Sequence, residues 1–238
     1  MDIMIIGASR GLGRALGEGL CKPGDTLTGV SRTRPAHLTA ARGTTVHWIE
    51  ADLSQPQAAA ARIDAQAPPV LDVLVCNLGI WEAQAFSDAY DFLASPDEEL
   101  ARLVDTNLTA LLLLLRRLLP RLLRSRQPRL VLTGSTSALR RSGRPEVAFG
   151  ATKAALDGIA DALREQFRAQ RLAVTTLHLG YLNTDDGLQV PREVAAARGA
   201  GTRVPVHDVV AVLRSLLSLS DASFVRELVM PAIADPHF

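Results

Sequence analysis

Apolar residues in this chain fall into short unbroken runs, separated by longer segments whose apolar positions have helical spacing. Met1–Ile6 is nearly all apolar, as expected for a strand buried on both faces of a parallel sheet. Similar runs at Leu27–Val30, Val46–Glu50, Val70–Cys76, Arg129–Thr133, Leu172–Leu179 and Phe224–Met230 complete an expected set of about seven strands. Helical patterns follow Gly13 through Leu16 and Leu20, and span Gln57–Ala67, Asp97–Arg124, Phe149 towards Arg168, and His207–Leu219. This alternation predicts an α/β fold, a doubly wound parallel sheet with helices on both faces, and one domain over residues 1–238.

Several segments depart from the simple pattern. The helix from Asp97 has Glu98 and Glu99 in its first turn, and Pro120 should kink or end it. Its Leu111–Leu123 region is apolar enough for either a fully buried helix or a subunit interface. Asn107 sits within it, where an amide competes for backbone hydrogen bonds; a local irregularity or a polar role is expected. The connection Ile80–Pro96 holds Trp81, Phe86, Tyr90 and Phe92. These aromatics either wall a pocket or pack the following helix, and packing is the reading for most of them. Residues Gly180–Pro205 are polar and weakly patterned, which suits a mobile lid over roughly 185–205.

The chemistry begins at the first turn. Gly7-Ala8-Ser9-Arg10-Gly11-Leu12-Gly13 follows a strand and opens a helix. Free backbone N–H groups and the helix dipole favour an anion there, and the glycines allow the chain to turn tightly beside it. The second strand ends in Ser31-Arg32 with no acid in place. An acid at this point would hold a ribose 2′-hydroxyl, whereas Arg accommodates a 2′-phosphate, so Arg10 and Arg32 favour NADPH over NADH. The basic connection Arg140–Arg144 could meet an acidic substrate or simply be solvated.

Composition narrows the class. The chain has 238 residues, 47% hydrophobic, with 26 basic and 25 acidic residues. That balance gives no support for a nucleic-acid or membrane partner driven by bulk charge. Leu111–Leu115 is interrupted by Arg116 and Arg117, far short of a membrane span. Two cysteines, Cys21 and Cys76, fit a reducing compartment, and with no visible signal peptide a cytoplasmic location is expected. No clustered metal ligands are expected either. Lysine occurs only at Lys22 and Lys153; a lone helical lysine among arginines invites a role for a tunable pKa.

Taken in order, these motifs resemble the short-chain dehydrogenase/reductase family over essentially the whole chain. Gly7-x-x-x-Gly11-x-Gly13 is similar to its cofactor turn, Asp52-Leu53 to its adenine contact, and Asn77-Leu78-Gly79 to the segment after its fourth strand. Asn107, Ser135 and Lys153 match three members of its catalytic tetrad. Leu179-Gly180-x-x-x-Thr184 resembles the segment that holds the nicotinamide, with Leu in place of Pro. The resemblance implies a Rossmann-type fold, NADPH/NADP+ as cofactor, a small-molecule carbonyl substrate, and a homodimer or homotetramer.

The resemblance breaks at Phe149, where the family carries the tyrosine that protonates the carbonyl oxygen. Phe149 and Lys153 are four apart on one helix face, but a phenyl ring has no proton to give. Ser135 lies one residue further from Phe149 than the commonest family spacing; Thr136 would restore it, yet strand alignment favours Ser135. Tyr90 lies in the distant aromatic connection, so the other proton sources are Tyr181, Ser135, water ordered by Lys153 and Asn107, or a substrate hydroxyl. General acid catalysis contributes ~10²–10⁴-fold, less than positioning can, so its loss need not abolish hydride transfer. The expected activity is therefore an atypical ketone or quinone reductase. The alternatives are an NADP(H)-binding sensor or scaffold, and a silent subunit of a hetero-oligomer.

Overall fold

A computed structural model describes residues 1–238. Its first half runs β1 (Asp2–Ile6), α1 (Gly11–Gly19), β2 (Thr26–Ser31), β3 (Thr45–Glu50), α2 (Pro56–Gln66) and β4 (Val73–Cys76). Then come α3 (Asp97–Val104), a π-helical turn (Asp105–Thr109), α4 (Ala110–Leu122), β5 (Arg129–Ser135) and α5 (Val147–Gln166). The last part holds β6 (Ala173–Leu179), β7 (Leu182–Asn183), α6 (Arg192–Ala197), β8 (Val204–Pro205), α7 (Val206–Leu217) and β9 (Glu227–Met230). Seven strands form one sheet in the order β3-β2-β1-β4-β5-β6-β9, every pair parallel.

Burial on both faces explains the unbroken apolar runs. Alternate residues of β1 enter opposite cores: Met4 and Ile6 meet Ile63 of α2 and the α4 leucines, while Ile3 and Ile5 meet Leu16 of α1 and Val209 of α7. One face therefore carries α2, α4 and α5, and the other α1 and α7. Glycine is required where backbones cross: a Cβ on Gly13 would stand 1.9 Å from the Gly7 carbonyl oxygen. Helix α1 can follow β1 this closely only without a side chain at that position. Gly7 itself has φ of 83°, in the left-handed region that favours glycine.

Three local readings are sharpened. The long helix does not run unbroken from Asp97; it opens into a π turn at Asp105–Thr109, centred on Asn107. Pro120 lies in the last turn of α4, which closes two residues later at Leu122. The leucines of α4 are mostly core: Leu111, Leu114, Leu115, Leu118, Leu119 and Leu122 are buried, whereas Leu112 is exposed.

The stretch from Gly180 to Pro205 has structure that its weak periodicity concealed. Strands β7 and β8 pair through Leu182 with Val204 and Asn183 with Pro205. The buried Asn183 amide donates to Asp186 Oδ2 at 2.8 Å and to the Ala195 carbonyl at 3.0 Å, and Arg198 donates to Asp186 Oδ1 at 2.6 Å. Side chains far apart on a short segment hold it, so no hydrophobic period records it. No helix in the chain is long and apolar enough to cross a membrane.

Candidate active site

Helix α5 carries the centre of the site, and it begins at Val147, two residues before Phe149. Lys153, one turn further, is buried at 7% exposure. Its Nζ donates to the Thr133 carbonyl at 2.9 Å and the Leu78 carbonyl at 3.1 Å. The lysine thus ties α5 to the ends of β4 and β5, the edge where open α/β sheets gather ligands. Burial lowers its pKa from 10.5 to about 8. The neighbouring Cys76 thiol is pushed up to about 12 by burial, so it stays neutral beside the ammonium.

Asn107 is fixed by the π turn. Its Oδ1 accepts from the Ile80 N–H at 2.8 Å, while Nδ2 donates to the Ile80 carbonyl at 2.8 Å and to Thr152 Oγ1 at 3.1 Å. Thr152 donates in turn to the Phe149 carbonyl at 2.9 Å. The expected irregularity at Asn107 is present, and it links the loop after β4 to α5. Ser135 closes β5, with Oγ accepting from the Ser137 N–H at 3.1 Å.

The aromatic connection turns towards α5 and not only towards the helix that follows it. Phe149 is buried and meets Phe86 edge-to-face at 5.2 Å and Trp81 at 6.3 Å; Phe86 meets Trp81 at 5.8 Å and Tyr181 at 5.6 Å. Phe86 has φ of 65°, a conformation unusual for a bulky residue. Its N–H is held by the buried Glu146 carboxylate at 3.0 Å. Tyr90, expected to be remote, has its hydroxyl 2.9 Å from the Val147 N–H, which donates to it, and 3.3 Å from Glu82 Oε1. The same Glu82 oxygen accepts from the Ala148 and Phe149 N–H groups at 2.9 and 3.2 Å. An anion on the free amides of a helix N-terminus is a favourable cap.

Neither phenol is activated as an acid. Burial raises the Tyr181 pKa, Glu146 and Asp235 add to that, and Arg144, stacked 4.6 Å over the ring, opposes them. Arg144 is itself paired with the buried Asp235 at 2.6 Å. Burial also raises Tyr90. Phe149 reaches Lys153 only as an aromatic face, with Nζ 5.8 Å from the ring centre.

Gly7, Ser9, Arg10, Gly11, Leu12 and Gly13 join β1 to α1, with Arg10 exposed. Asn77 Nδ2 donates weakly to the Gly7 carbonyl at 3.4 Å, and a Cβ on Gly11 would meet Thr184 Cγ2 at 3.3 Å. Thr184 is therefore brought to this turn from the far end of the chain. A Cβ on Gly79 would stand 3.0 Å from Lys153 Nζ, and Gly180 N–H donates to the Met230 carbonyl at 3.0 Å. Arg32 and Asp52 are exposed and Leu53 is half-buried. The Ser31 hydroxyl is engaged elsewhere, donating to the Thr33 carbonyl at 2.7 Å and accepting from Trp48 Nε1 at 3.1 Å.

Glu82, Glu146 and the Arg144–Asp235 pair are the site features that the sequence did not announce. Glu146, directly before the apolar start of α5, offered the one signal: an acid at a helix N-terminus.

A parallel sheet ordered 3-2-1-4-5-6, extended by one strand and carrying a glycine turn after its first strand, defines the dinucleotide-fold class of α/β proteins. The sequence pattern described as short chain dehydrogenase matches residues 2–193. The chain belongs to the short-chain dehydrogenase family and is an oxidoreductase of that type. It is 29% identical over 191 residues to an uncharacterized oxidoreductase of Myxococcus xanthus, covering 76% of this chain and 72% of that one. It is 28% identical over 200 residues to an NADPH-dependent pterin aldehyde reductase of Arabidopsis thaliana, covering 77% and 75%. Among solved structures, RhlG of Pseudomonas aeruginosa in an NADP active-site complex is similar in fold, with a TM-score of 0.77 and 22% identity. That match covers 100% of this chain and 96% of RhlG.

Proposed function

We propose that this chain is an NADPH-dependent carbonyl reductase that works without the family's tyrosine acid, Phe149 standing in its place. The observation that carries this reading is Lys153: a buried ammonium held by the Leu78 and Thr133 carbonyls, beside an Asn107 with both amide donors and one oxygen lone pair engaged. A lysine buried at this cost has a physical purpose if its remaining N–H is used by a ligand.

The residues present fit the cofactor. The Gly7–Gly13 turn holds the head of α1 against β1, with Gly13 too close to the Gly7 carbonyl for a side chain, and Arg10 and Arg32 are exposed and free of ion pairs for a 2′-phosphate. Asp52-Leu53 and Asn77–Gly79 would line the adenosine side, and Gly180 and Thr184 the nicotinamide side. When bound, NADPH supplies the hydride. Lys153 would offer its one remaining N–H to a ribose hydroxyl or to a water, which the second lone pair of Asn107 Oδ1 would help hold. Ser135 would polarise the substrate carbonyl with its hydroxyl proton, which stays free because Oγ only accepts from the Ser137 amide. Phe149 contributes an apolar face, continuous with Trp81, Phe86 and Tyr181, which favours a planar aromatic ketone or quinone. The proton would then come from ordered water, from Ser135 or from the substrate's own hydroxyl. Tyr181 is the weaker candidate because its proton is held more tightly.

Residues 185–205 would act as the substrate lid. Assembly as a homodimer or homotetramer and a cytoplasmic location belong to the same reading. The exposed Val104 and Leu112 support assembly.

Steady-state NADPH oxidation with a panel of ketones and quinones tests the proposal, with NADH as the competing donor. Turnover that falls in Ser135→Ala and prefers NADPH is expected; Arg32→Ala should narrow that preference. No turnover with any acceptor, alongside tight binding of both cofactor forms, would favour the second reading, an NADP(H)-binding sensor or scaffold. That reading rests on the missing hydroxyl at Phe149.

A further inference from the structure

The sheet edge opposite the glycine turn carries a second feature. A cavity of about 290 Å³ lies where β5 and β6 begin, α5 has just ended and the chain approaches β9. Arg126, Arg129, Arg164, Arg168 and Arg171 line it together with Asp221, while Asp161 and Glu165 pair with Arg164 and Arg168 from just outside it. The chain as a whole is balanced, 26 basic residues against 25 acidic, so this concentration of one sign is local. Arginines after a helix C-terminus answer its dipole, which accounts for those in and beyond the last turn of α5. Arg126 and Arg129 lead into β5 and lie off that helix end, Arg129 instead capping the C-terminal carbonyls of α7.

Those two form no ion pair. Arg129 spends its donors on neutral acceptors: the Leu217 carbonyl at 2.6 Å, the Leu219 carbonyl at 2.7 Å and Gln127 Oε1 at 3.1 Å. These bonds hold the guanidinium plane and leave two of its five N–H groups free. Arg126 makes no hydrogen bond within the chain and keeps all five. Arg171 is pinned by the Asp221 carbonyl at 2.7 Å, and Arg164 by the Val174 and Arg226 carbonyls at 3.0 and 2.7 Å. Burial lowers the pKa of both Arg129 and Arg164, the mark of half-buried positive charge that an incoming anion would relieve. Guanidinium forks match phosphate oxygens two at a time, and the cavity is small for a ligand pocket.

We propose that this arginine-lined cavity binds a compact phosphate-bearing anion of the size of a diphosphate. The site is separate from the redox centre. Arg129 opens β5 and Ser135 closes it, about 20 Å apart at the rise of a strand. The inference therefore stands or falls independently of the reductase reading.

Calorimetric titration with inorganic pyrophosphate tests it, with ADP as a second arm to separate free diphosphate from a nucleotide's phosphates. Two double variants divide the two basic regions of the molecule. Arg126→Glu with Arg168→Glu alters exposed residues of the cavity, and Arg10→Ala with Arg32→Ala alters the glycine-turn end. Pyrophosphate binding about tenfold weaker in the first pair and unchanged in the second is expected. Should the first pair melt early, Arg126→Gln with Arg168→Gln carries the same prediction with a smaller loss. Titrations identical in wild type and the cavity variants, or binding abolished only by the Arg10 and Arg32 pair, would overturn the proposal.

Discussion

Lys153 should make this protein more stable as the pH rises through the range in which most proteins begin to fail. In the folded chain its pKa is about 8, against an ordinary 10.5, because burial disfavours the ammonium. Below pH 8 both folded and unfolded chains hold the proton, and the folded chain bears the full burial penalty. Between pH 8 and 10.5 the unfolded chain holds more protons than the folded one, so stability rises with pH; above that range the penalty is gone. At 1.36 kcal/mol per decade, the depression corresponds to on the order of 3 kcal/mol. Urea unfolding of wild type and Lys153→Met, without cofactor, isolates this contribution, because other titrating groups cancel in the difference. The Cys76 thiol, pushed up to about 12 by burial, acts in the opposite sense, since the unfolded chain loses that proton near 9 while the folded chain keeps it, but this happens in both proteins and cancels in the difference. The absolute offset between the proteins includes the lost bonds to Leu78 and Thr133, so the slope is the observable. Wild type should gain about 3 kcal/mol relative to the variant between pH 7 and pH 10.5. A difference that stays flat, or that falls, would refute the assignment of a charged, buried lysine.

Two further outcomes follow from the geometry around α5. Phe149→Tyr should raise kcat for a small ketone by about tenfold or more if a missing acid limits the chemistry, with cofactor affinity unchanged in a fluorescence titration. Unchanged or lower rates would mean that the ring serves to pack the substrate. Glu82→Ala should cost about 2 kcal/mol in urea unfolding, because the amides of Ala148 and Phe149 lose their shared acceptor, whereas Glu82→Gln should recover part of it. A loss within about 0.5 kcal/mol, typical of an inconsequential surface change, would show that water replaces the cap.

Helix α5 shows where sequence reading succeeded and where it stopped. The interval from Phe149 to Lys153 placed both residues on one helix face, and both are buried there. The unsuitability of asparagine within a helix marked Asn107, and the chain does leave α-helical geometry at that residue. Tyr90 was misjudged as remote because separation along the chain says little about separation in space once a loop folds back. Glu82 and Glu146 were missed because a single acid in an irregular stretch has no periodicity. Their meaning appears only when the amides of Phe86, Ala148 and Phe149 converge on them.

The sequence by itself determined the parallel sheet, its strand count, the glycine turn and the family. Each of these is written in local pattern: runs buried on two faces, helical spacing between them, and residues without side chains where backbones must cross. Only the tertiary structure decided how the 80–96 connection closes against α5, how Asn183, Asp186 and Arg198 order the 180–205 stretch, and where five arginines meet. These are contacts between side chains distant in sequence, set by packing and by the need to pair buried polar groups. No local period encodes them.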